Sequence, residues 1–213
     1  MLGLGRRGAR ARKFIALSPA LTQHRPMRIC FFGDSFVNGT GDPDFLGWVG
    51  RVCARSSVPD LTAYNLGIRR DTTSDIAARW RDEATRRLPD EVDGRLVFSF
   101  GVNDAVQGKT DTLANARAIL AEASAWKPTL MIGPAPIEDA GVNVRVAALS
   151  QSLGRLCAEL GAPFLPVFDP LAASPLWMAE VASQDGAHPG ANGYELLAGL
   201  VSGWSAWRDW VAR

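Results

Sequence analysis

A serine and a histidine stand where they could act as a nucleophile and its base. Ser35 follows an apolar run in the segment Gly-Asp-Ser35-Phe, and His188 lies in Asp185-Gly-Ala-His188-Pro; the other histidine, His24, is near the N-terminus. A serine hydroxyl needs a base to attack an acyl group. An aspartate three residues before a histidine can bind Nδ1, which leaves Nε2 free to accept the serine proton. These types and spacings predict a triad of Ser35, His188 and Asp185, although either segment alone also fits an ordinary turn.

Two further segments carry groups that could stabilise an oxyanion. Donors aimed at the developing negative charge supply a large share of the rate in acyl transfer. Gly67 ends the segment Tyr-Asn-Leu-Gly67, and a glycine lets its N–H approach a ligand closely. Asn103, in Gly-Val-Asn103-Asp, offers its Nδ2 hydrogens. A tight turn at Gly67 and a helix cap at Asn103 are the structural alternatives.

Short apolar runs alternate with helical patterns along the chain, which indicates stacked β-α units in one α/β domain. The expected strands are 28–32, 61–65, 96–100, 129–132 and 164–167, and the expected helices are 46–55, 74–88, 113–126, 144–160 and 193 to the C-terminus. We expect a three-layer α/β/α sandwich around a five-stranded parallel sheet of flavodoxin-like order 2-1-3-4-5. In that order the loops after strands 2 and 3 flank the serine loop.

The last expected helix has both a start signal and an apolar stripe. Asn192 and Glu195 have the spacing of a capping box. A stripe at helical spacing indicates the face that would cover the sheet, and its members are Leu196, Leu200, Trp204, Trp207 and Val211.

Four blocks of this sequence, GDSF at 33–36, NLG at 65–67, GVND at 101–104 and DGAHP at 185–189, resemble in this order the blocks of the SGNH or GDSL hydrolase family. The resemblance implies the SGNH hydrolase fold, with Ser35 as nucleophile, His188 as base and Asp185 as the residue that orients it. It also implies an oxyanion hole formed by the N–H groups of Ser35 and Gly67 and by Nδ2 of Asn103.

The same resemblance implies a GDSL-type esterase or lipase that cleaves carboxylic esters through an acyl-enzyme, with a short-chain acyl ester or a lysophospholipid as the small-molecule substrate. An O-acyltransferase using the same site is the nearest alternative, and a non-catalytic flavodoxin-like binding domain is a more distant one. Asp34 and Asp104 belong to the family blocks, and we interpret them as acceptors that brace loops.

One position departs from the family pattern, because many relatives resemble N-x-G-x-x-G-x-T where this chain has Arg70 in place of the second glycine. An arginine at this point could hold a carboxylate or phosphate through two parallel hydrogen bonds. This possible substrate contact would favour an anionic substrate. The alternative is a surface arginine paired with Asp71 or Asp75.

The glycine-rich segment 38–43 has neither the G-x-x-x-x-G-K-[ST] nor the G-x-G-x-x-G spacing of nucleotide-binding loops. It is expected to shape or gate the acyl pocket.

No cofactor and no metal are expected, since the domain offers a single histidine and three scattered cysteines, Cys30, Cys53 and Cys157. The cysteines are interpreted as small buried apolar residues, which favours a reducing compartment and therefore a cytoplasmic protein. Oligomeric state leaves no signal in the sequence.

The 213 residues, 47% of them hydrophobic, suffice for one globular domain, which we place at 27–213. Residues 1–26 are basic and lack acids, and we interpret them as upstream of the true start or as disordered. An export or organelle address is the alternative. The remainder is net acidic, which argues against nucleic-acid binding. No apolar run is long enough to span a membrane.

Overall fold

The computed structural model describes residues 25–211, so nearly all of the basic segment 1–26 lies outside the described residues. Its core is a five-stranded parallel sheet of order β2-β1-β3-β4-β5, which confirms the expected fold class. The strands are β1 (Met27–Gly33), β2 (Thr62–Gly67), β3 (Asp93–Ser99), β4 (Thr129–Ile132) and β5 (Phe164–Leu165).

Helices follow every strand and cover both faces of the sheet. Those of the first half are α1 (Ser35–Asn38), α2 (Gly47–Ala54), α3 (Thr73–Arg87), α4 (Val102–Gln107) and α5 (Thr112–Trp126). Those of the second half are α6 (Ala140–Leu160), α7 (Phe168–Ala172), α8 (Pro175–Ser183), α9 (Ala191–Gly203) and α10 (Ser205–Val211).

Alternate residues of β1 feed two separate apolar cores. Ile29 and Phe31 pack with α2, α8, α9 and α10 on one face, whereas Cys30 and Phe32 pack with α3 and α5 on the other. All four side chains are fully buried. Because β1 is central and covered on both faces, its residues are continuously apolar, as parallel strands of this kind require. The rigid central strand ends directly before Ser35.

Strands β3 and β5 differ from their expected bounds. β3 begins at Asp93 and pairs with β1 along its whole length, although its first residues look like a loop in the sequence. Arg95 is buried there because it binds the Asp93 carboxylate and its guanidinium lies 5.0 Å from the centre of the Trp210 ring. β5 ends at Leu165, one residue before Pro166, which has no N–H for a ladder.

The expected last helix is two helices, because Trp204 adopts an extended backbone between α9 and α10. The predicted capping box is also wrong. α9 has Gly190 as its N-cap, and the Glu180 carboxylate of α8 accepts hydrogen bonds from Asn192 Nδ2 at 3.0 Å and from the Gly193 N–H at 2.7 Å. Glu195 instead pairs with Arg55, which directly follows α2.

The predicted apolar stripe of this region is displaced by about one residue in α9. Leu196, Leu200 and Trp204 are only half-buried, whereas the fully buried side chains of α9 are Tyr194, Leu197, Ala198 and Val201. Trp207 of α10 is buried as expected.

The short helices α1, α4, α7 and α8 were not anticipated. α8 matters most for the site, because it carries Trp177, whose indole N–H donates to the Pro136 carbonyl at 3.0 Å. Ser174 caps α8 by accepting from the Trp177 N–H, and Pro175 occupies its first turn. No described helix is long and apolar enough to cross a membrane. Cys30 and Cys157 are buried, Cys53 is half-buried, and all three are free thiols.

Candidate active site

Ser35 is the first residue of α1, at the carboxyl end of the central strand β1. The Asp34 carboxylate accepts a hydrogen bond from the Phe36 N–H at 2.9 Å and so caps the short helix. Ser35 Oγ lies 2.7 Å from Nε2 of His188, although the two residues are 153 positions apart in the chain. Both are buried, with exposures of 6% and 8%. A serine hydroxyl and an imidazole nitrogen at this distance can exchange a proton directly.

Asp185 holds the other side of the histidine. Its Oδ2 lies 2.7 Å from His188 Nδ1, and its Oδ1 accepts from the main-chain N–H groups of Ala187 and His188 at 3.1 and 2.9 Å. Burial alone would raise the pKa of Asp185, but these hydrogen bonds to the ionised form hold the pKa at about 2. An ionised carboxylate can only accept, so Nδ1 carries the proton and Nε2 is left to accept from Ser35.

Aromatic side chains fix the histidine ring from one side. The Phe36 ring centre lies 5.1 Å from that of His188 and 6.3 Å from that of Trp177, on which it stacks. Trp177 is fully buried. The α8 tryptophan therefore supports the histidine through Phe36. The only sequence signal for this contact is an apolar residue beside the serine.

The glycine-rich segment 38–43 packs against the other side of the histidine loop. Gly41 has a φ of +90°, and a side chain there would lie 2.9 Å from the Pro189 carbonyl oxygen and 3.1 Å from His188 Cβ. Tyr194 of α9 anchors the segment by donating its hydroxyl hydrogen to the Thr40 carbonyl at 2.7 Å. The segment thus borders the site, as its expected role in shaping the acyl pocket requires.

A buried ion pair fixes the far end of this loop. The Asp42 carboxylate, with no exposed side-chain surface, binds the Arg51 guanidinium of α2 and accepts from the Gly47 N–H at 2.7 Å. Trp48, which follows, is fully buried and packs edge-on against Phe31, so it belongs to the core rather than to a gate.

Asn103 lies at the start of α4 with its amide directed toward the serine loop. Nδ2 donates to the main-chain oxygen of Asp71 at 3.0 Å and to Oδ2 of Asp34 at 3.4 Å. The structure therefore brings Asn103 next to the residue that precedes Ser35, as the 2-1-3 strand order predicts. Both of its amide hydrogens are engaged by protein oxygens.

Gly67 lies at the end of β2, against α1. A side chain here would lie 2.3 Å from the Asn38 nitrogen and 2.7 Å from the Asp34 carbonyl oxygen, so only glycine allows this approach. The Gly67 N–H donates to Asn65 Oδ1 at 3.1 Å, and Asn65 Nδ2 donates to the Val37 carbonyl at 2.7 Å. Asn65, which the sequence reasoning did not single out, thereby ties β2 to α1.

Asp34 and Asp104 both accept hydrogen bonds that brace loops, in line with their interpretation from the sequence. Asp104 binds the hydroxyl and N–H of Thr73 at the start of α3 and the hydroxyl of Thr112 at the start of α5. Burial raises the pKa of Asp34 to about 7 against the opposing Phe36 N–H bond, and the nearby acids Asp104 and Asp71 add to the rise.

Arg70 is exposed on the loop after β2 and has a φ of +72°, in the left-handed region that favours glycine. Within 25–211 it makes no ion pair shorter than 4.0 Å. The alternative pairing with Asp71 or Asp75 is wrong: Asp71 pairs with Arg79, and Asp75 accepts from the Thr72 N–H and hydroxyl. The Arg70 side chain is thus not committed to either acid.

Arg79 is a residue of this region that the sequence reasoning missed. Its guanidinium binds Asp71 and reaches the carbonyl oxygens that end β1 and β2. The only sequence signal was an arginine between Ile76 and Trp80, on the buried face of α3. Within the described part of the chain, no group of three or more His, Cys, Asp or Glu side chains is arranged to hold a metal ion.

Comparisons with known proteins identify the family of this chain. The sequence profile of the GDSL-like lipase/acylhydrolase family matches residues 31–196, a range that contains Ser35, Asn103, Asp185 and His188. Among proteins with curated descriptions, none matches the sequence significantly.

Solved structures share the fold over most of their length. A lipase/acylhydrolase from Enterococcus faecalis is 26% identical, with a TM-score of 0.66 over 83% of this chain and 93% of its own. A member of the lipolytic G-D-S-L family from Veillonella parvula is 22% identical, with a TM-score of 0.68 over 82% and 96%. The acetylxylan esterase Axe2 from Geobacillus stearothermophilus is 18% identical, with a TM-score of 0.67 over 84% and 95%.

Proposed function

Because this chain belongs to the GDSL-like lipase/acylhydrolase family, we propose that it hydrolyses carboxylic esters, with Ser35 as nucleophile, His188 as general base and Asp185 as the residue that orients the histidine. The observation that carries the proposal is the continuous hydrogen-bonded chain from Ser35 Oγ through His188 to Asp185, with both links at 2.7 Å. A nucleophile, its base and an orienting acid in this order are what acyl transfer to serine needs.

In the first half of the reaction, His188 Nε2 takes the Ser35 proton as Oγ forms a bond to the ester carbonyl carbon. The carbonyl oxygen becomes an oxyanion, and the bond to the alcohol oxygen then breaks as His188 returns the proton to that oxygen. Asp185, held ionised, stabilises the transient imidazolium. The acyl group remains on Ser35, and the alcohol leaves.

In the second half, water replaces the alcohol. His188 takes a proton from the water as its oxygen attacks the acyl carbon, and it returns the proton to Ser35 Oγ when the acyl bond breaks. The products are a carboxylic acid and the regenerated enzyme, so no cofactor takes part in the proposed reaction.

We assign the oxyanion to the N–H of Ser35, Nδ2 of Asn103 and the N–H of Gly67. Support for Asn103 is its position beside Asp34, and support for Ser35 is its place at the N-terminus of α1, where main-chain N–H groups are free of helical partners. Gly67 would have to exchange its hydrogen bond to Asn65, and Asn103 one of its bonds to Asp34 and Asp71, for one to the substrate oxygen. The three donors are therefore not equivalent.

The first experiment is hydrolysis of p-nitrophenyl esters of increasing acyl length by the full chain, Ser35→Ala and Ser152→Ala. Ser152 is a matched control, because its exposed hydroxyl binds the Ala148 carbonyl on α6, away from the triad. We expect activity in the wild type and in Ser152→Ala and none in Ser35→Ala. The preferred length separates a short-chain esterase from a lipase or lysophospholipase.

Product analysis in the presence of a sugar acceptor tests the acyltransferase alternative. Free acid as the main product supports hydrolysis, whereas an acylated sugar formed only by protein with Ser35 would replace hydrolysis by transfer. A folded wild type with no Ser35-dependent activity in either assay would overturn the proposal.

We also propose that Arg70 contacts an anionic group of the substrate. Support comes from its exposure on the loop next to Gly67 and from the engagement of Asp71 and Asp75 elsewhere. The test compares kcat/KM for an acidic and a neutral ester of equal acyl length. Arg70→Ala should lower the acidic-to-neutral ratio about tenfold, as expected for a lost charge-assisted hydrogen bond, and Arg70→Lys should retain part of it. An unchanged ratio would remove Arg70 from substrate binding.

A further inference from the structure

The guanidinium of Arg79 lies beneath the loops that carry the proposed oxyanion donors. Nη2 donates to the carbonyl oxygens of Leu66 at 2.9 Å and of Gly33 at 3.3 Å. These carbonyls belong to the ends of β2 and β1, where the chain turns away from the sheet toward Gly67 and Ser35. Nη2 of Arg79 therefore links the carboxyl ends of the neighbouring strands β1 and β2 to each other and to α3.

A second group of the same guanidinium reaches the segment that holds Asn103. Nε donates to Oδ2 of Asp71 at 2.8 Å, and the main-chain oxygen of Asp71 accepts from Asn103 Nδ2 at 3.0 Å. The ion pair is largely removed from solvent, with side-chain exposures of 17% for Arg79 and 11% for Asp71. Asn103 is thus two contacts away from Arg79, through Asp71, whose side chain binds the guanidinium and whose main-chain oxygen binds the amide.

We propose that Arg79 is a positioning residue that fixes the oxyanion side of the site, acting on Asn103 through Asp71 and on the exits of β1 and β2 through their carbonyl oxygens. The inference rests on the proposed hydrolysis at Ser35 and adds to it a residue that touches neither substrate nor triad. No other described side chain donates to the carbonyls of both Gly33 and Leu66.

Only an arginine can make these contacts together. Nη1 binds Glu83 at 3.0 Å, one turn further along α3, and the guanidinium carbon lies 5.8 Å from the centre of the Phe32 ring. The planar guanidinium of arginine has several N–H groups in a fixed arrangement, so it can bind a carboxylate and two carbonyl oxygens at the same time. The ammonium group of lysine is a single point donor on a flexible side chain. Lysine at this position would keep the positive charge near Asp71 but lose the hydrogen bond to at least one of the two carbonyl oxygens, those of Gly33 and Leu66.

The primary test is Arg79→Lys, measured as kcat and KM for a p-nitrophenyl ester that the wild type hydrolyses. Displacement of a donor by a fraction of an ångström should lower kcat by on the order of 10- to 100-fold and change KM by less than about threefold. Arg87→Lys is the matched control, because Arg87 lies on the same helix and also pairs with Glu83, but at the far end of α3. It should leave kcat within about twofold.

A double-mutant cycle separates positioning from general destabilisation. In an Asn103→Ala background the route through Asp71 has no amide left to position, so Arg79→Lys should lower kcat by a clearly smaller factor than it does in the wild type, and the remaining factor measures the route through the carbonyls of Gly33 and Leu66. Full additivity of the two substitutions would overturn the action of Arg79 on Asn103. If Arg79→Lys does not fold, Asp71→Asn takes its place with the same expected results, since it removes the carboxylate partner and keeps the main-chain oxygen.

A readout independent of catalysis makes failure of this inference distinguishable from failure of the proposed hydrolysis. The side-chain NH₂ signals of Asn103 in a ¹⁵N NMR spectrum, identified by their loss in Asn103→Ala, should shift in Arg79→Lys and stay in place in Arg87→Lys. Unmoved signals together with an unchanged kcat would refute the role of Arg79. A wild type without esterase activity would refute hydrolysis and leave the NMR comparison to decide the positioning role.

Discussion

The two sides of the candidate active site are prepared to different degrees. On the relay side, Ser35, His188 and Asp185 already make the contacts that proton transfer needs. On the oxyanion side, Asn103 and Gly67 direct their hydrogens at protein oxygens of Asp71, Asp34 and Asn65.

The difference follows from the negative charge that each side stabilises, which is permanent on one side and transient on the other. The relay side carries a permanent negative charge on Asp185, which orders its partners before any substrate arrives. The oxyanion exists only during the reaction, so buried donors on that side need other acceptors in its absence. The oxyanion side therefore depends on the surrounding protein to hold its donors near the required positions.

Removal of the base should give the largest effect on the relay side. His188→Ala is expected to lower kcat by on the order of 10⁶-fold, because no other described histidine can accept the Ser35 proton. Ser35→Ala/His188→Ala should be no slower than either single variant, since the pair acts as a unit. A steady-state assay at known concentrations of folded protein measures both, and a His188→Ala enzyme retaining a tenth of wild-type kcat would exclude His188 as the base.

Asp185→Asn tests the orienting acid and should cost on the order of 10³- to 10⁴-fold in kcat. An asparagine amide can donate to Nδ1, which places the histidine proton on Nε2 and leaves no acceptor for Ser35. Asp139→Asn is the matched control, because Asp139 only caps α6 and asparagine caps equally well. Equal kcat values for the two variants would show that Asp185 does not set the tautomer.

On the oxyanion side, Asn103→Ala should lower kcat by on the order of 10²- to 10³-fold with little change in KM. Asn115→Ala provides the comparison, since Asn115 Nδ2 binds Ser74 and Asp111 in a polar cluster farther from Ser35. A loss below about tenfold for Asn103→Ala, or an equal loss for Asn115→Ala, would remove Asn103 from the oxyanion hole.

The smallest effect concerns stability and the buried Asp34. Its pKa is raised from 3.8 to about 7, so the folded protein binds a proton that the unfolded chain has released in this window. The free energy of unfolding of the wild type should therefore fall relative to that of Asp34→Asn as pH rises from about 4 to about 7. Above pH 7 the difference between the two proteins should stay constant. The Tm of the wild type minus the Tm of Asp34→Asn should change by a few degrees between pH 5 and pH 8. A difference that does not vary with pH would contradict the raised pKa.

Local sequence signals predicted most of the elements and selected Ser35, His188 and Asp185 as the candidate relay residues. The apolar runs predict the sheet order because parallel strands joined by right-handed crossovers admit few arrangements. Ser35 and His188 could be paired because one serine follows the first strand and one folded-domain histidine follows the fifth. The errors fall where a long-range contact overrides local pattern: Arg95 is buried in β3 by Asp93 and Trp210, and Glu180 caps α9 in place of Asn192.

Only the tertiary structure decided how the site is held. The sequence by itself determined the fold class, the family blocks and the residue types of the candidate site, because these depend on periodicity and on short motifs. It could not reveal that Trp177 supports His188 through Phe36, or that Arg79 reaches the ends of two strands and Asp71. Those contacts join residues distant in the chain, and their energies depend on burial and on fork geometry, which appear only when the chain is folded.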